Sequence, residues 1–586
     1  MLKDWVYSNR KDLLFIVYCW FIVATVMFTK SWDSISNLEL RDNDDYMRYV
    51  QFMDWIKNGN WYLEPMPQFN PDDGVIMHWS RVPDLLLAGT TLAISPILGI
   101  NTASLVAIGI VPLFYMLCFA LALFAFTDQY LGERYRFIGM IFALGSPAIL
   151  KFSPGSIDHH NLQLIIVAVF LLLTPITKVH LRESWRFLIQ ALLISTSLWI
   201  GLDNFVFFVF YLACYSIYYY FTNTLWLNYF SNMCLATFFA SSVMSLLNRP
   251  IWEFFIERYD ALSFPFSICF LGGAIFLKLS VIFTSQSTRN LNRLILGTVL
   301  SLMIFAPILI LYPSLLKGAY ADYPPILREF WLDKVTEAQS MYSLIEKNGV
   351  FSSDNYFLTF IPALAYPFIR KKNPQLNILY GILLLHVAVA FFWQIRAANL
   401  CFILSAPLQA YVLIEITKSM KYELTKSIFL ISGIPIIILI GLVIVNPIPS
   451  KNTSNFPPEV TKLGELLKEH DIYEEKILSG ITTGAKILAK SDNSIIAAPY
   501  HRNINGNILA IATFQSTDDD FIKRTLKKNN INYIIINNDN QLEYIIKSSN
   551  EKSLINRLTY NSQPDWLELL NKNQSDGYRI FIFKGL

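Results

Sequence analysis

Thirteen apolar runs, at about 13–30, 102–126, 137–150, 162–176, 187–201, 205–221, 230–247, 264–280, 294–312, 355–369, 377–393, 399–415 and 427–446, fill the first 446 residues. A run of roughly 20 apolar residues crosses a bilayer, and shorter runs suffice where helix ends snorkel or pack within a bundle. Composition agrees: 54% of the 586 residues are hydrophobic and 16% are charged, against about 25% charged in soluble domains. Such a chain cannot coat itself with polar side chains. Disorder, collagen-like repeats and a secreted disulfide scaffold are excluded. The six cysteines lie in or beside apolar runs without CxxC or Cys/His zinc spacing, so no cysteine chemistry is expected. The expected fold class is a polytopic α-helical membrane protein.

Basic residues set the expected orientation. Lys3, Arg10 and Lys11 precede the first run. Alternate loops then carry Arg134/Arg136, Lys178/Arg182/Arg186, Arg289/Arg293, Arg370/Lys371/Lys372 and Lys418/Lys421/Lys426. This predicts a cytoplasmic N-terminus and, with an odd number of crossings, an outward C-terminus in a bacterial inner membrane. The acidic loop 31–84 and the loop 313–352 then face outside. Residues 447–586 differ in kind, being polar and Lys/Asn-rich. They predict a small extramembrane α/β domain with strands at Ile495–Tyr500, Tyr533–Ile536 and Tyr578–Phe583 and helices over 458–470 and 518–528.

Five segments carry candidate chemistry. Arg41-Asp42-Asn43-Asp44-Asp45-Tyr46 opens a predicted helix with the apolar stripe Tyr46, Tyr49, Val50, Met53 and Ile56, ending before Gly59. Its carboxylates can hold a divalent cation or accept a proton, or cap the helix while Asp44 pairs with Arg48. Pro154-Gly155-Ser156-Ile157-Asp158-His159-His160 mixes carboxylate and imidazole ligands that suit Mn²⁺, Zn²⁺ or Mg²⁺, or is a turn and cap. Trp331–Gln339 reads as an interfacial helix with Lys334 and Glu337 paired at i,i+3. Arg396, after the eleventh run, stands against the charge bias and suits phosphate contact or headgroup snorkelling. Arg81 is a weaker phosphate candidate, with Asp84 as its alternative partner.

In this order, the segments resemble the GT-C superfamily of lipid-linked sugar transferases, especially the catalytic subunit of oligosaccharyltransferase. The family has thirteen spans, a long first external loop and an extramembrane C-terminal domain. Its first acidic motif matches Asp44-Asp45-Tyr46. Its second aligns with Asp158-His159-His160, with His160 in place of an acid. Its fifth-loop motif is similar to Val335-Thr336-Glu337, and its phosphate-contacting arginine matches Arg396. The resemblance implies that Asp44, Asp158, His160 and Glu337 hold Mg²⁺ or Mn²⁺, and that Asp44 or Asp45 is the base.

One departure stands out. Where the family carries W-W-D-Y-G for reading an Asn-x-Ser/Thr sequon, this chain reads Leu478-Ser479-Gly480-Ile481-Thr482-Thr483-Gly484. A site built to bind a hydroxyl loses that selectivity without its polar partners. Pro499-Tyr500-His501-Arg502-Asn503 offers a different polar cluster, so His501 and Arg502 are expected to touch donor or acceptor, unless the segment is a plain surface turn. The expected function is transfer of a sugar or oligosaccharide from a polyprenyl-phosphate or pyrophosphate donor to a glycan, lipid or protein acceptor. The expected partners include membrane lipids and no nucleic acid. Alternatives are protein oligosaccharyl transfer, a non-catalytic scaffold, or a transporter of lipid-linked glycans.

Overall fold

The structure, a computed structural model, describes residues 2–69, 74–175, 182–284, 290–318, 320, 322–349, 360–369, 373–418, 420–421, 459–537, 540–571 and 577–585. Among the described residues, seven helical segments are long and apolar enough to cross a membrane: Arg10–Ser36, Ile100–Leu131, Leu202–Thr222, Phe264–Phe283, Asn290–Leu311, Pro374–Phe392 and Ile395–Lys418. Val82–Leu98 and His160–Leu172 are shorter apolar helices. The chain is a multi-pass membrane protein. The run 427–446 lies outside the described residues, as do Lys178, Arg289, Arg370, Lys371, Lys372 and Lys426.

The helices Glu183–Ile200 and Leu227–Met244 fall on further predicted runs. Val82–Leu98 does not. Its apolar stretch lies between Pro83 and Gly99, and it folds back along Ile100–Leu131 after that glycine, whose φ of 74° suits the reversal. The transmembrane core is aromatic. Phe119 stacks on Phe152 at 4.8 Å, and Phe170 meets Tyr211 edge-on at 4.6 Å.

The first loop contains the helix Asn43–Asn58. Asp42 caps it, accepting the Asp44 N–H, and Gly59 ends it at φ 70°. Tyr46, Met47 and Val50 pack into the C-terminal domain, whereas Phe52, with Tyr49, Met53 and Ile56 beside it, packs toward the membrane helices. The predicted single stripe is therefore two faces, because this helix is sandwiched. A short antiparallel pair, β1 (Pro65–Met66) and β2 (Val75–Ile76), follows.

The C-terminal domain has a five-stranded sheet of β3 (Lys476–Ser479), β4 (Ser494–Ile495), β5 (Tyr533–Asn537), β6 (Leu567–Leu569) and β7 (Tyr578–Phe583), ordered β4-β3-β5-β7-β6. β3 pairs parallel with β4 and β5, and β7 pairs antiparallel with β5 and β6. Alternate residues face opposite ways. Ile477, Ile535 and Ile580 join the first-loop core, while Leu478, Ile534 and Phe581 join a core that includes Leu327 and Phe330 of the fifth loop. Both loops thus pack against one domain. Phe69 extends the contact by bridging to Ile495, whose N–H donates to the Gln68 carbonyl.

Glu39 also secures this docking. Its Oε1 accepts the N–H groups of Val460 and Thr461 at 2.8 and 2.9 Å, at the start of the helix Glu459–Glu469. Helix N-termini favour such a carboxylate. Glu39→Ala is expected to cost about 1 kcal/mol and to speed amide exchange at Val460 and Thr461. Unchanged protection at both amides would contradict this.

Candidate active site

A cavity of about 1860 Å³ opens where the first loop, the loop before His160–Leu172, the fifth loop and the C-terminal domain meet. Asp42, Asp44, His160, Glu337 and Arg396 all reach its wall. Four chain segments far apart in sequence therefore converge on one space.

Asp44 lies in the first turn of Asn43–Asn58. Burial, then the charges of Asp158, Asp42 and Glu337, push its carboxyl well above the usual range. Asp45 behaves differently. Its Oδ1 accepts the N–H groups of Ile157 and Asp158 at 2.8 and 2.9 Å, stitching the first loop to the second. Burial, followed by Asp42 and Asp158, raises its pKa to about 8.

Asp158 does not cap the next helix with its side chain. Its Oδ1 accepts from His159 Nδ1 at 2.6 Å, its Oδ2 lies 3.2 Å from His160 Nε2, and Arg48 stands at 3.7 Å. Burial opposes the charge, but His159 and His160 hold this carboxylate well below the usual range. His159 Nε2 donates in turn to Asp203 Oδ2 at 2.8 Å. With both nitrogens on carboxylates, the ring is an imidazolium. Burial works against it, yet Asp158 and Asp203 keep its pKa at about 9. A Cβ on Gly201 would lie 3.0 Å from His159 Nε2, so glycine makes room for this ring.

Glu337 closes the site. Lys151 Nζ donates to its Oε1 at 2.9 Å, and its Oε2 lies 3.2 Å from Arg396 and 3.6 Å from His160. Burial is outweighed by Lys151 and these neighbours, which hold Glu337 well below its ordinary range. The predicted Lys334–Glu337 pair and the single helix around it are corrected. Leu332–Lys334 and Thr336–Ala338 are separate 3-10 turns, and Lys334 sits over the Tyr544 ring at 3.9 Å. The kink at Val335 turns Glu337 toward Lys151.

Arg396 bridges Asp203 at 2.9 Å and Glu337 at 3.2 Å, and its Nε is buried without a hydrogen-bond partner among the described residues. Arg48 bonds Asp84 at 3.2 Å and lies over Trp79, rather than pairing with Asp44. Arg81 is occupied inside the first loop by the carbonyls of Gln51 and Asn60 and by Asp84 at 3.8 Å. His501 reaches the cavity wall, and Arg502 braces it from behind by gripping Asp260 with Nε and NH2 at 2.6 and 3.0 Å. The segment Leu478–Gly484 ends β3 and starts a helix. Of it, Thr482 lines the cavity, while Gly484 packs where a Cβ would meet the Ala497 carbonyl.

Lys151, Asp203 and Asp260 stand outside the segments that the sequence singles out, whereas Asp42 and His159 lie inside them without an individual role. Asp203 had a signal: it is an isolated acid between the runs 187–201 and 205–221.

The donor set suits a divalent cation. The ligand atoms of Asp158, His159 and His160 lie within 4.8 Å of one another, a group that could hold a metal ion. His159 is already committed on both nitrogens, so His160 is the available imidazole.

No family model and no curated protein match the chain. Solved structures do. The archaeal oligosaccharyltransferase AglB from Archaeoglobus fulgidus, in complex with an inhibitory peptide and a dolichol-phosphate, is similar with a TM-score of 0.66 at 15% identity, over 95% of this chain and 74% of that one. The chain has the GT-C fold. A second structure of the Archaeoglobus oligosaccharyltransferase, tethered to an acceptor peptide containing the NVT sequon, aligns with a TM-score of 0.63 at 15% identity, over 94% of this chain and 72% of that chain. A third, in complex with Zn and sulfate, aligns at 0.57 and 15% identity over 85% and 64%. Within this GT-C fold, the shared architecture extends from the membrane helices into the C-terminal sheet.

Proposed function

We propose that the chain is a glycosyltransferase that moves a sugar or oligosaccharide from a polyprenyl-phosphate or pyrophosphate donor to an acceptor at the outer membrane face. The observation that carries this reading is the meeting of Asp44, His160, Glu337 and Arg396 around one cavity, with Asp158 held against His160 behind its wall. The similarity to proteins solved with dolichol-phosphate and with Zn supports it. Asp44, Asp158, His160 and Glu337 would hold Mg²⁺ or Mn²⁺, which supplies positive charge against the donor phosphate.

The residues divide the work. Arg396, whose side chain is one-third exposed at the cavity wall, receives the phosphate oxygen as the sugar–oxygen bond breaks and its electron pair moves to the leaving group. Asp44, in the first turn of Asn43–Asn58 and at the cavity wall, takes the proton as the acceptor bonds to the sugar carbon. Asp45 holds the second loop in place, so Asp44 is the better candidate base. Lys151 and Arg396 orient Glu337.

Reconstituted transfer from a lipid-linked donor is expected to stop in EDTA and to return with Mn²⁺ or Mg²⁺. Asp158→Asn should lower bound Mn²⁺ about 10–100-fold, whereas Asp333→Asn, in the neighbouring 3-10 turn, should leave it unchanged. Full transfer by Asp158→Asn in EDTA would contradict metal dependence.

A further inference from the structure

Asp203 stands between two apolar helices, in the 3-10 turn Leu202–Asn204 that joins Glu183–Ile200 to Phe205–Thr222. An acid at such a place is retained where it faces a polar space and is paired, and Asp203 lies on the cavity wall. The turn that carries it is fixed on both sides. Gln163 Nε2 donates to the Gly201 carbonyl at 2.9 Å. Asn204 Nδ2 donates to Ser197 Oγ at 2.9 Å and to the Gln163 carbonyl at 3.3 Å. Gln163 and Asn204 are both buried. The backbone of Asp203 is thereby tied to His160–Leu172 and to the end of Glu183–Ile200.

Both Asp203 oxygens are engaged, and both partners are donors. Oδ1 accepts from Arg396 NH1 at 2.9 Å, and Oδ2 accepts from His159 Nε2 at 2.8 Å. A carboxylate satisfies two donors at once. An amide of the same shape offers one oxygen and turns its NH2 toward the other donor. The position therefore calls for an acid. That acid does not itself receive a phosphate, since its charge has the same sign as the phosphate's, so any effect on a phosphate runs through Arg396.

Glu337 is a second carboxylate on Arg396, at 3.2 Å, but it also takes Lys151 and lies 3.6 Å from His160. Its side chain is 31% exposed, against 18% for Asp203. Asp203 is thus the more enclosed of the two anchors, and its turn is pinned to two helices.

We propose that Asp203 is a positioning residue for the transfer, holding the Arg396 guanidinium by NH1 at the angle from which it meets the donor phosphate, while His159 braces its second oxygen. The inference rests on the glycosyltransferase reading of the same site.

The test uses the full chain in nanodiscs with two readouts, binding of bare polyprenyl phosphate and transfer from a polyprenyl-phosphate-linked sugar. Asp203→Asn is expected to weaken the binding about tenfold, as for a lost hydrogen bond to a charged group. It should lower kcat about 10²-fold, the cost of shifting a binding group by about 1 Å, and leave the acceptor KM unchanged. In an Arg396→Met background the same substitution should change neither readout, because residues that act as one unit are not additive. A residue needed for folding alone would lower both readouts in both backgrounds. Asp203→Glu keeps two acceptors and should recover part of the rate, and it supplies the same comparison where Asp203→Asn does not fold. Phosphate binding needs no turnover. Its loss in Asp203→Asn, with no transfer by the wild type, would uphold the positioning and reject the glycosyltransferase reading. Wild-type binding and kcat in both Asp203 variants, or an equal loss with and without Arg396, would overturn the proposal.

Discussion

Asp44→Asn is expected to lower sugar transfer by about 10²–10⁴-fold, the usual contribution of a positioned base, without lowering thermal stability. The two halves of this expectation have one cause. Asp44 is buried among Asp158, Asp42 and Glu337, which disfavour its charge, so a neutral amide of the same shape relieves repulsion in the folded chain. Single-turnover transfer and thermal unfolding of the purified variant check both halves. A variant that transfers at the wild-type rate would remove Asp44 from the chemistry. One that is inactive and unfolded would show that its role is structural.

Arg396→Met is expected to reduce transfer about 10²–10³-fold, the cost of losing a donor aimed at developing negative charge. Folding should survive, because Asp203 keeps His159 and Glu337 keeps Lys151. Arg396→Lys should recover only part of the rate. A guanidinium spans Asp203 and Glu337 at once, whereas an ammonium offers no planar fork. Rates at saturating donor for the two variants decide this. Equal rates for Arg396→Lys and wild type would mean that charge alone matters.

Local patterns made much of the scaffold legible. Gly59 ends the helix of Asn43–Asn58 as predicted, Asp518 caps Asp519–Lys528, and Tyr578–Phe583 is a strand. Each is set by residues within a few positions of one another. β3 was missed because its four residues sit between charged and small neighbours and become a central strand only by pairing with β4 and β5. Val82–Leu98 was missed because its prolines and Gly99 read as loop punctuation.

The site shows the same division. Residue type and order singled out Asp44, Asp158, His160, Glu337 and Arg396. Sequence could not separate Asp44 from its neighbour Asp45, since the difference lies in two backbone N–H groups more than a hundred residues away. Nor does it reveal Lys151, whose partner Glu337 lies 186 positions distant, or the pairing of His159 with Asp203, 44 positions on. Long-range charge pairing leaves no local periodicity to read.

A chain with the proposed activity consumes a lipid-linked sugar in the cell. The most direct measurement is comparative analysis of polyprenyl-linked sugars and surface glycans in cells lacking the chain, complemented with either the wild type or Asp44→Asn. Cells lacking the chain should accumulate one lipid-linked sugar and lose one glycoconjugate, both changes being reversed by the wild type and not by Asp44→Asn. An unchanged lipid-linked pool, or full restoration by Asp44→Asn, would contradict it.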